Sequence, residues 1–249
     1  MPRIKYAQIE NKNALIELLE EGKPLEKIYL ANNAYKDPKT KRVLELARKN
    51  NIPIEKIARR SISRRSKTSS HESVIGLMEI DNQYSLQELL SEAFTDGKQP
   101  FYLIFGDIKY PQNVGAIFRT AYAAGVTGII TPVQKANLLS DEIIRISMGT
   151  CLRIPIVEVG LFAAIKEIKK QGIPVLALDM DGKDLYDTDL TGPVAIILGS
   201  EYTGVSSKIR ERIDGVISIP MNKGIGSLNV GVASAITMYE KYRQELAGK

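Results

Sequence analysis

Three short segments in the second half of the sequence place polar side chains beside glycine or proline, directly after apolar runs. They are residues 113–121 (NVGAIFRTA), 198–204 (LGSEYTG), and 219–221 (IPM) running into 227–230 (SLNV). Loops that follow the strands of an α/β protein gather at one edge of the sheet, where ligands bind. An arginine, a glutamate, a serine and two asparagines in such loops could clamp and hydrogen-bond a ligand.

In the first segment, Asn113 can both donate and accept hydrogen bonds, and Gly115 lets a ligand or backbone approach closely. Arg119 follows in an otherwise apolar stretch. Because an unpaired buried charge is costly, we expect Arg119 to point at a partner. That partner is either a structural acid or, since the guanidinium is a fixed fork, a phosphate or a ribose.

The second and third segments also have structural alternatives. Gly199 leaves room for a ligand, and Glu201 either hydrogen-bonds at the site, fixes Arg119 or caps a helix. Ser227 is a good N-cap for the last helix. Asn229 would then lie in the first helical turn, where nothing structural requires asparagine. Free N–H groups at a helix start also form a natural edge for a ligand.

Several other kinds of site are disfavoured by the sequence. It contains no G-x-G-x-x-G fingerprint for a dinucleotide, no P-loop and no G-x-S-x-G elbow. A dinucleotide-dependent enzyme and a hydrolase triad therefore have no support. The one histidine and one cysteine, His71 and Cys151, exclude an internal disulfide framework and disfavour a Cys/His zinc site. We expect a metal-free protein.

In order and spacing, the three segments resemble the signature motifs of the SpoU/TrmH (SPOUT) family, which transfers methyl groups to RNA ribose. The resemblance extends over residues 101–245. Residues 1–80 resemble the small ribosomal-protein-like domain that many ribosomal-RNA members carry. The resemblance implies S-adenosylmethionine as methyl donor and a ribose 2′-hydroxyl as acceptor. It also implies a trefoil knot in the C-terminal third and a homodimer with active sites at the subunit interface.

Carried over by position, the resemblance implies two sets of site residues. The catalytic cluster would be Asn113, Arg119, Glu201, Ser227 and Asn229. The cofactor pocket would be lined, largely by backbone groups, by Gly199, Ile219 and Leu228. Arg119 is often assigned as general base in this family, but an arginine stays protonated near neutral pH. We favour a clamp that stabilises developing negative charge and leave the base open. The chain departs from many relatives in having Lys223 where they have glycine.

The elements that must position these residues alternate along the chain. Strand-like runs are residues 101–105, 127–131, 154–157, 174–178 and 193–198, and helical patterns are 112–124, 161–170 and 227–246, with another helix beginning at 140. Strands separated by helices indicate an α/β fold with a parallel sheet. The first 80 residues predict a smaller α/β unit. We expect an RNA substrate-binding domain (1–80), a linker (81–100) and a SPOUT methyltransferase domain (101–249).

Charge is concentrated between Lys56 and Lys67, which include six basic residues and no acid, in a chain of net charge +5 and pI near 9.1. A solvated loop is one interpretation. The other is a loop that holds a phosphate backbone. With the motifs downstream, we predict RNA contacts from five side chains: Arg59, Arg60, Arg64, Arg65 and Lys67.

Composition and organisation suggest where the protein works and on which RNA. No apolar stretch approaches the roughly 20 residues that span a bilayer, and we expect a cytoplasmic protein without membrane contact. The N-terminal domain favours large-subunit (23S) ribosomal RNA as substrate, and the lack of a basic extension after the last helix weighs against transfer RNA. The alternatives are a transfer-RNA ribose methyltransferase and a non-catalytic RNA-binding assembly factor of the same fold.

Overall fold

The computed structural model describes residues 6–32, 34, 37–66, 73–80, 84–97, 99–132, 138–199, 204–222 and 226–248. These residues form ten strands, nine α-helices and short 3₁₀ turns. In chain order the elements are β1 (Tyr6–Ile9), α1 (Lys12–Glu20), β2 (Lys27–Ala31), α2 (Pro38–Lys49), β3 (Ile54–Ile57), α3 (Arg59–Arg65), β4 (Val74–Glu79), α4 (Leu86–Ser91), β5 (Phe101–Phe105), α5 (Pro111–Ala123), β6 (Gly128–Thr131), α6 (Asp141–Ile146), β7 (Ile156–Glu158), α7 (Leu161–Lys170), β8 (Val175–Asp184), β9 (Val194–Leu198), α8 (Ser207–Arg210), β10 (Gly215–Ser218) and α9 (Val230–Ala247). None of these helices is long and apolar enough to cross a membrane.

Contacts divide the chain into two compact units. The first comprises Met1–Asp81 and Leu138–Leu152, and the second comprises Asn82–Asn137 and Arg153–Lys249. The segment 138–152 joins the first unit because α6 packs against β1. Residues 84–97, where we expected a linker, contribute helix α4, whose Leu89 and Leu90 are buried in the core of the second unit.

The first unit contains a four-stranded sheet in the order β1-β4-β2-β3, in which β2 and β3 are parallel and the other pairs antiparallel. Helices α1 and α2 pack together and bury their leucine faces. Both helix starts have side-chain caps, because Asn11 accepts from the amides of Asn13 and Ala14 and Asp37 accepts from that of Thr40. The predicted small α/β unit is present, and it also contains β1 and α3, which we did not predict.

The second unit contains a six-stranded, all-parallel sheet in the order β10-β8-β9-β5-β6-β7. The predicted α/β fold with a parallel sheet is therefore confirmed. Strands β5 and β9 lie at the centre with every residue buried, as their continuous apolar runs predict. The chain leaves β5 toward β6 and β7, and strands β8, β9 and β10 lie on the other side. This change of direction creates the kind of switch point at which α/β proteins bind ligands.

Strand β8 has an irregularity beside this point. Val216 of β10 pairs with Ala177 of β8, yet the next residue, Ile217, pairs with Lys183. Residues 178–182 of β8, which we call the β8 excursion, therefore lie between the two paired parts. Gly182 ends the excursion, and a Cβ there would lie 2.5 Å from the backbone carbon of Ile217. Only glycine allows the two strands to approach so closely.

The C-terminal helix α9 is anchored at its far end by a polar network. Lys241 is buried, and its Nζ donates hydrogen bonds to the carbonyls of Leu190 (3.0 Å) and Gly192 (2.8 Å) and to the carboxylate of Glu245 (2.7 Å). The side-chain oxygen of Gln244 also accepts a hydrogen bond from the backbone amide of Leu190. The burial of this amine is compensated because three acceptors surround it.

Candidate active site

A cavity of about 660 Å³ opens beside the β8 excursion and the carboxyl ends of β9 and β10, within the second unit. Its lining comes from the β8 excursion, the ends of β9 and β10, and the starts of α5 and α9. The lining residues are Tyr110, Asn113, Leu178, Asp179, Met180, Leu198, Gly199, Gly204, Ile219, Met221, Gly226, Ser227, Leu228, Asn229, Val230 and Ala233. Six residues chosen from the sequence are brought together here: Asn113, Gly199, Ile219, Ser227, Leu228 and Asn229.

Two glycines shape the wall that follows β9. Gly204 has φ +62°, a left-handed conformation that L side chains rarely adopt, and a Cβ there would lie 2.8 Å from Oδ2 of Asp179. A Cβ on Gly199 would lie 3.0 Å from the carbonyl carbon of Gly204. Glycine at both positions lets the backbone after β9 lie against the carboxylate of Asp179 at the cavity wall.

Asn229 joins the starts of α5 and α9. Its side-chain oxygen accepts hydrogen bonds from the amides of Gly231 (2.9 Å) and Val232 (3.3 Å), and its side-chain nitrogen donates to Oδ1 of Asn113 (3.0 Å). Asn229 is therefore the N-cap of α9. The structural alternative for Ser227, that it caps this helix, was wrong, because the helix begins at Val230 rather than at Ser227. Asn229 consequently has a structural need for asparagine that the sequence reading denied.

Arg119 does not line the cavity. It lies on the exposed face of α5 and forms no ion pair with any residue that the structure describes. Our expectation of a buried arginine was wrong because the apolar neighbours Ile117, Phe118 and Ala121 all face the core, whereas Arg119 points away from it. Helical periodicity, rather than the composition of the stretch, decides which of these residues is buried.

The basic segment of the first unit is largely helical rather than a loop. Ile62 is buried, and this single apolar anchor lets Arg59–Arg65 form α3 with all four of its arginines exposed. Arg65 stacks on the ring of Tyr29, with its guanidinium carbon 4.5 Å from the ring centre. Ser66 then donates to the carboxylate of Glu10 (2.7 Å). Arg59, Arg60 and Arg64 thus share one exposed helix, while Lys67 lies outside the described residues.

Two further positions singled out from the sequence also fall outside the described residues. These are Glu201 of the second segment and Lys223 of the third. The structure therefore brings together the flanks of both segments, Gly199 and Gly204 in one and Met221 and Gly226 in the other.

Asp179, which was not predicted from the sequence, lies in the β8 excursion and lines the cavity. Its Oδ2 accepts from the amide of Val205 (2.9 Å) and from Nη2 of Arg210 (2.6 Å). Arg210 also donates to both oxygens of Asp181, and this hydrogen bonding lowers the pKa of the Asp181 carboxyl. One signal could have found Asp179, since it directly follows the strand predicted over residues 174–178.

The lining combines an apolar floor with a small number of polar groups. Leu178, Leu198, Ile219, Met221 and Leu228 offer apolar surface, while Asp179 contributes an acid. The volume lies within the roughly 300–1,000 Å³ typical of small-molecule sites. Within the described ranges, no group of three or more histidine, cysteine or acidic side chains could hold a metal ion. The arrangement suits an organic ligand that has an apolar ring system and hydrogen-bonding or positively charged parts.

Comparisons with known proteins agree with this geometry. Residues 100–239 match the SpoU rRNA Methylase family, and residues 9–83 match the family described as RNA 2′-O ribose methyltransferase substrate binding. The chain is 34% identical over 242 residues to YacO of Bacillus subtilis (strain 168), whose name places it among TrmH family tRNA/rRNA methyltransferases; the match covers 96% of each chain.

Two other similarities concern a curated relative and a solved structure. The chain is 30% identical over 236 residues to the 23S rRNA (guanosine-2′-O-)-methyltransferase RlmB of Xanthomonas axonopodis pv. citri (strain 306), covering 94% of this chain and 95% of that one. Its fold is similar to the SpoU methyltransferase AviRb from Streptomyces viridochromogenes in complex with the cofactor AdoMet. The TM-score is 0.80 at 22% identity, covering 98% of this chain and 92% of that one.

Proposed function

This chain belongs to the SpoU rRNA methylase family, and we propose that it methylates a ribose 2′-hydroxyl in large-subunit (23S) ribosomal RNA with S-adenosylmethionine as donor. One observation carries the proposal: the three motif segments, far apart in sequence, meet at one cavity. The match of residues 9–83 to a substrate-binding family supports RNA as substrate, and similarity to the 23S enzyme RlmB supports the choice of RNA.

The cavity fits the proposed cofactor. Leu198, Ile219 and Leu228 would hold the adenine ring, and the closely spaced glycines after β9 leave backbone groups at the wall. Asp179 is the acidic residue of the lining and would be the acceptor for a ribose hydroxyl of the cofactor. When bound, the cofactor supplies a methyl group on a positively charged sulfur.

The pair Asn113 and Asn229 would orient the reacting ribose. The two backbone amides fix the oxygen end of the Asn229 side chain, and its nitrogen end then fixes Oδ1 of Asn113. Two amides held in this way need no reorganisation when a substrate arrives. Ser227, exposed at the same cavity, is a further candidate contact. We assign Glu201 to the same cluster from its position in the second motif.

The exposed position of Arg119 supports a site completed by a second copy of the chain. Helix α5, which carries Arg119, packs on α9, and α9 exposes an apolar stripe with spacings of seven, three and four residues. The stripe consists of Val232, Tyr239, Tyr242 and Leu246, each at least 40% exposed. Exposed apolar surface of this kind marks a protein interface. We propose a homodimer in which Arg119 of one subunit clamps the phosphate or the 2′-oxygen at its partner's cavity.

Mixing two inactive variants tests this arrangement. Arg119→Ala lacks the clamp, and Asn229→Asp lacks the amide that orients Asn113. Exchange of subunits would form mixed dimers in which one of the two sites contains both wild-type residues. About a quarter of wild-type activity should return, because about half of the dimers are mixed. If Arg119 acts within its own subunit, no mixed dimer contains an intact site and activity stays at the level of the separate variants.

We propose that the first unit binds the RNA, with the exposed arginines of α3 contacting its phosphates. Arg59, Arg60 and Arg64 share an exposed helix, and Arg65 and Lys67 continue the cluster. Neutralising the first three should weaken RNA binding. It should also reduce the slope of the logarithm of the binding constant against the logarithm of salt concentration by the amount that corresponds to about three phosphate contacts. Replacing three exposed lysines of α2 (Lys39, Lys41 and Lys49) provides the matched control of equal charge. If the two triple variants weaken RNA binding equally, the arginines of α3 contribute only general charge attraction and the proposed contacts are wrong.

The domain roles follow the two family matches, with the catalytic part in residues 101–249 and the substrate-binding part in residues 1–80. The trefoil knot in the C-terminal third and the cytoplasmic location are likewise proposals. They rest on membership of the family and on the absence of a membrane-spanning helix among the described residues.

The choice of RNA can be tested by offering the enzyme labelled S-adenosylmethionine with 23S ribosomal RNA, transfer RNA or 30S-subunit RNA. We expect incorporation into the 23S RNA. The names of several relatives include both transfer and ribosomal RNA, and preferential labelling of transfer RNA would favour that alternative. An enzyme that binds 23S RNA tightly but labels none of the three, either free or in precursor particles, would be an assembly factor.

A further inference from the structure

We propose that Arg210 is a positioning residue for the cofactor cavity, which it shapes by holding the β8 excursion through Asp179 and Asp181. This inference rests on the proposed function, because it takes the cavity to be the S-adenosylmethionine site. Arg210 itself does not line the cavity. It would act on the cofactor through the two acids and through the backbone that follows Gly204.

The excursion needs such a support because the sheet ladders hold only its first residue, Leu178. Strand β8 pairs with β9 as far as Leu178 and resumes its pairing with β10 at Lys183. Residues 179–182 therefore take no part in the ladders with either neighbouring strand. Asp179 and Met180 from this stretch nevertheless line the cavity, and Met180 is 55% exposed. Side-chain contacts are therefore needed to hold residues 179–182 in position.

Arg210 supplies those contacts from α8. Its guanidinium donates to Oδ2 of Asp179 (2.6 Å) and to both oxygens of Asp181 (2.7 and 3.1 Å), and its Nε donates to the carbonyl of Val205 (3.1 Å). One planar group therefore grips two residues of the excursion and the backbone that follows Gly204. A fork of fixed geometry sets their relative positions more strictly than a single point charge would.

Asp179 passes this restraint to the cavity wall. Its Oδ2 also accepts from the Val205 amide, and its Oδ1 accepts from the Met180 amide (2.8 Å). The side chains of Asp179 and Arg210 are only 15% and 29% exposed, so water replaces a lost partner poorly. Without the guanidinium, two neighbouring carboxylates would repel each other, and the excursion and the Gly204 turn could separate.

The experiment compares Arg210→Met, which keeps the length of the side chain, with Arg212→Met. Arg212 is a suitable control because it lies two residues beyond Arg210, donates to a backbone carbonyl (that of Lys208) and stacks on Phe162, but forms no hydrogen bond with the excursion. Affinity for S-adenosylhomocysteine would be measured by calorimetry. Exchange of the Met180 and Val205 amides, which donate to Asp179, would be followed by hydrogen–deuterium exchange in the ligand-free protein.

We expect Arg210→Met to weaken binding by about tenfold or more and to speed exchange at the two amides, with Arg212→Met unchanged. Asp181→Asn, at a position 70% exposed, should fold even if Arg210→Met does not, and should give a smaller effect in the same direction. If the wild-type protein binds S-adenosylhomocysteine and Arg210→Met binds it with the same affinity, the positioning role of Arg210 is overturned and the proposed function is not. If Arg210→Met does not fold, unchanged affinity in Asp181→Asn has the same meaning. A wild-type protein that binds no S-adenosylhomocysteine would overturn the proposed function and, with it, the positioning role of Arg210.

Discussion

Replacing Asn229 by aspartate or by alanine separates its two roles, which the structure assigns to opposite ends of one amide. The oxygen caps α9 through the amides of Gly231 and Val232, and the nitrogen donates to Asn113. Aspartate keeps a capping oxygen and loses the donor, whereas alanine loses both. The two variants should therefore differ in stability while sharing the loss of activity.

The magnitudes follow from the individual contacts. Loss of an asparagine N-cap costs about 1 kcal/mol, and loss of a partly exposed hydrogen bond costs about 1 kcal/mol more. Asn229→Ala should thus reduce the free energy of unfolding by about 2 kcal/mol. Asn229→Asp should stay within about 1 kcal/mol of wild type, because a carboxylate at a helix N-terminus is favourable and offsets the lost donor.

Urea denaturation measures the stability of each variant, and methyl transfer to RNA measures its activity. The matched control is Asn11→Ala in the first unit, where Asn11 caps α1 through the amides of Asn13 (2.9 Å) and Ala14 (3.1 Å). That variant should lose about as much stability as one N-cap supplies and retain most of its activity. Ser227→Ala, by contrast, should leave stability within about 0.5 kcal/mol of wild type, because Ser227 is not the cap.

The expected activity of both Asn229 variants is at least about tenfold below wild type, equal to 1.4 kcal/mol of transition-state stabilisation. An Asn229→Asp enzyme that is as stable and as active as wild type would refute the inference that this amide orients Asn113. An Asn229→Ala enzyme of unchanged stability would refute its assignment as the N-cap.

Three further predictions concern residues whose surroundings the structure defines. Gly204→Ala should destabilise the protein by more than the about 1 kcal/mol expected for Gly192→Ala, because both glycines have positive φ but only Gly204 would clash with Asp179; equal melting temperatures would contradict this. Lys241→Met should cost about 2–4 kcal/mol in denaturant titrations, since it removes the buried donor that two carbonyls and a carboxylate share, and a loss below about 0.5 kcal/mol would contradict that role. Hydrogen bonds from Thr40 lower the pKa of Asp37 from 3.8 to about 2, so the stability that it contributes should be complete above pH 4 and lost as the pH falls toward 2; Asp37→Asn should remove that dependence, and identical acid titrations would contradict it.

The sequence predicted the order of elements well where local pattern and burial agree. The continuous apolar runs that became β5 and β9 are typical of strands buried on both faces, and Asp37 followed by proline is typical of a helix start. The β8 excursion was beyond such reasoning. It depends on how two strands pair across the sheet, and no local pattern records that register.

The sequence predicted many of the residues that lie at the candidate site, but it did not predict their structural roles. Ser227 and Asn229 are both good N-caps, and only the position of the first helical residue decides between them. Arg119 was judged from its apolar neighbours, although the face of a helix is set by spacing. Arg210 could not have been linked to Asp179 at all, because 31 residues separate the two and neither belongs to the recognised motifs.

The chemical position of the transferred methyl group tests the central claim most directly. After reaction with labelled S-adenosylmethionine, the RNA would be digested with alkali, which cleaves wherever a 2′-hydroxyl is free and leaves a 2′-O-methylated nucleotide joined to its neighbour. We predict that the label is recovered in one alkali-resistant dinucleotide from 23S RNA, and that the Asn229→Asp enzyme yields little of it. Label recovered in mononucleotides would place the methyl group on a base and contradict ribose methylation at this cavity.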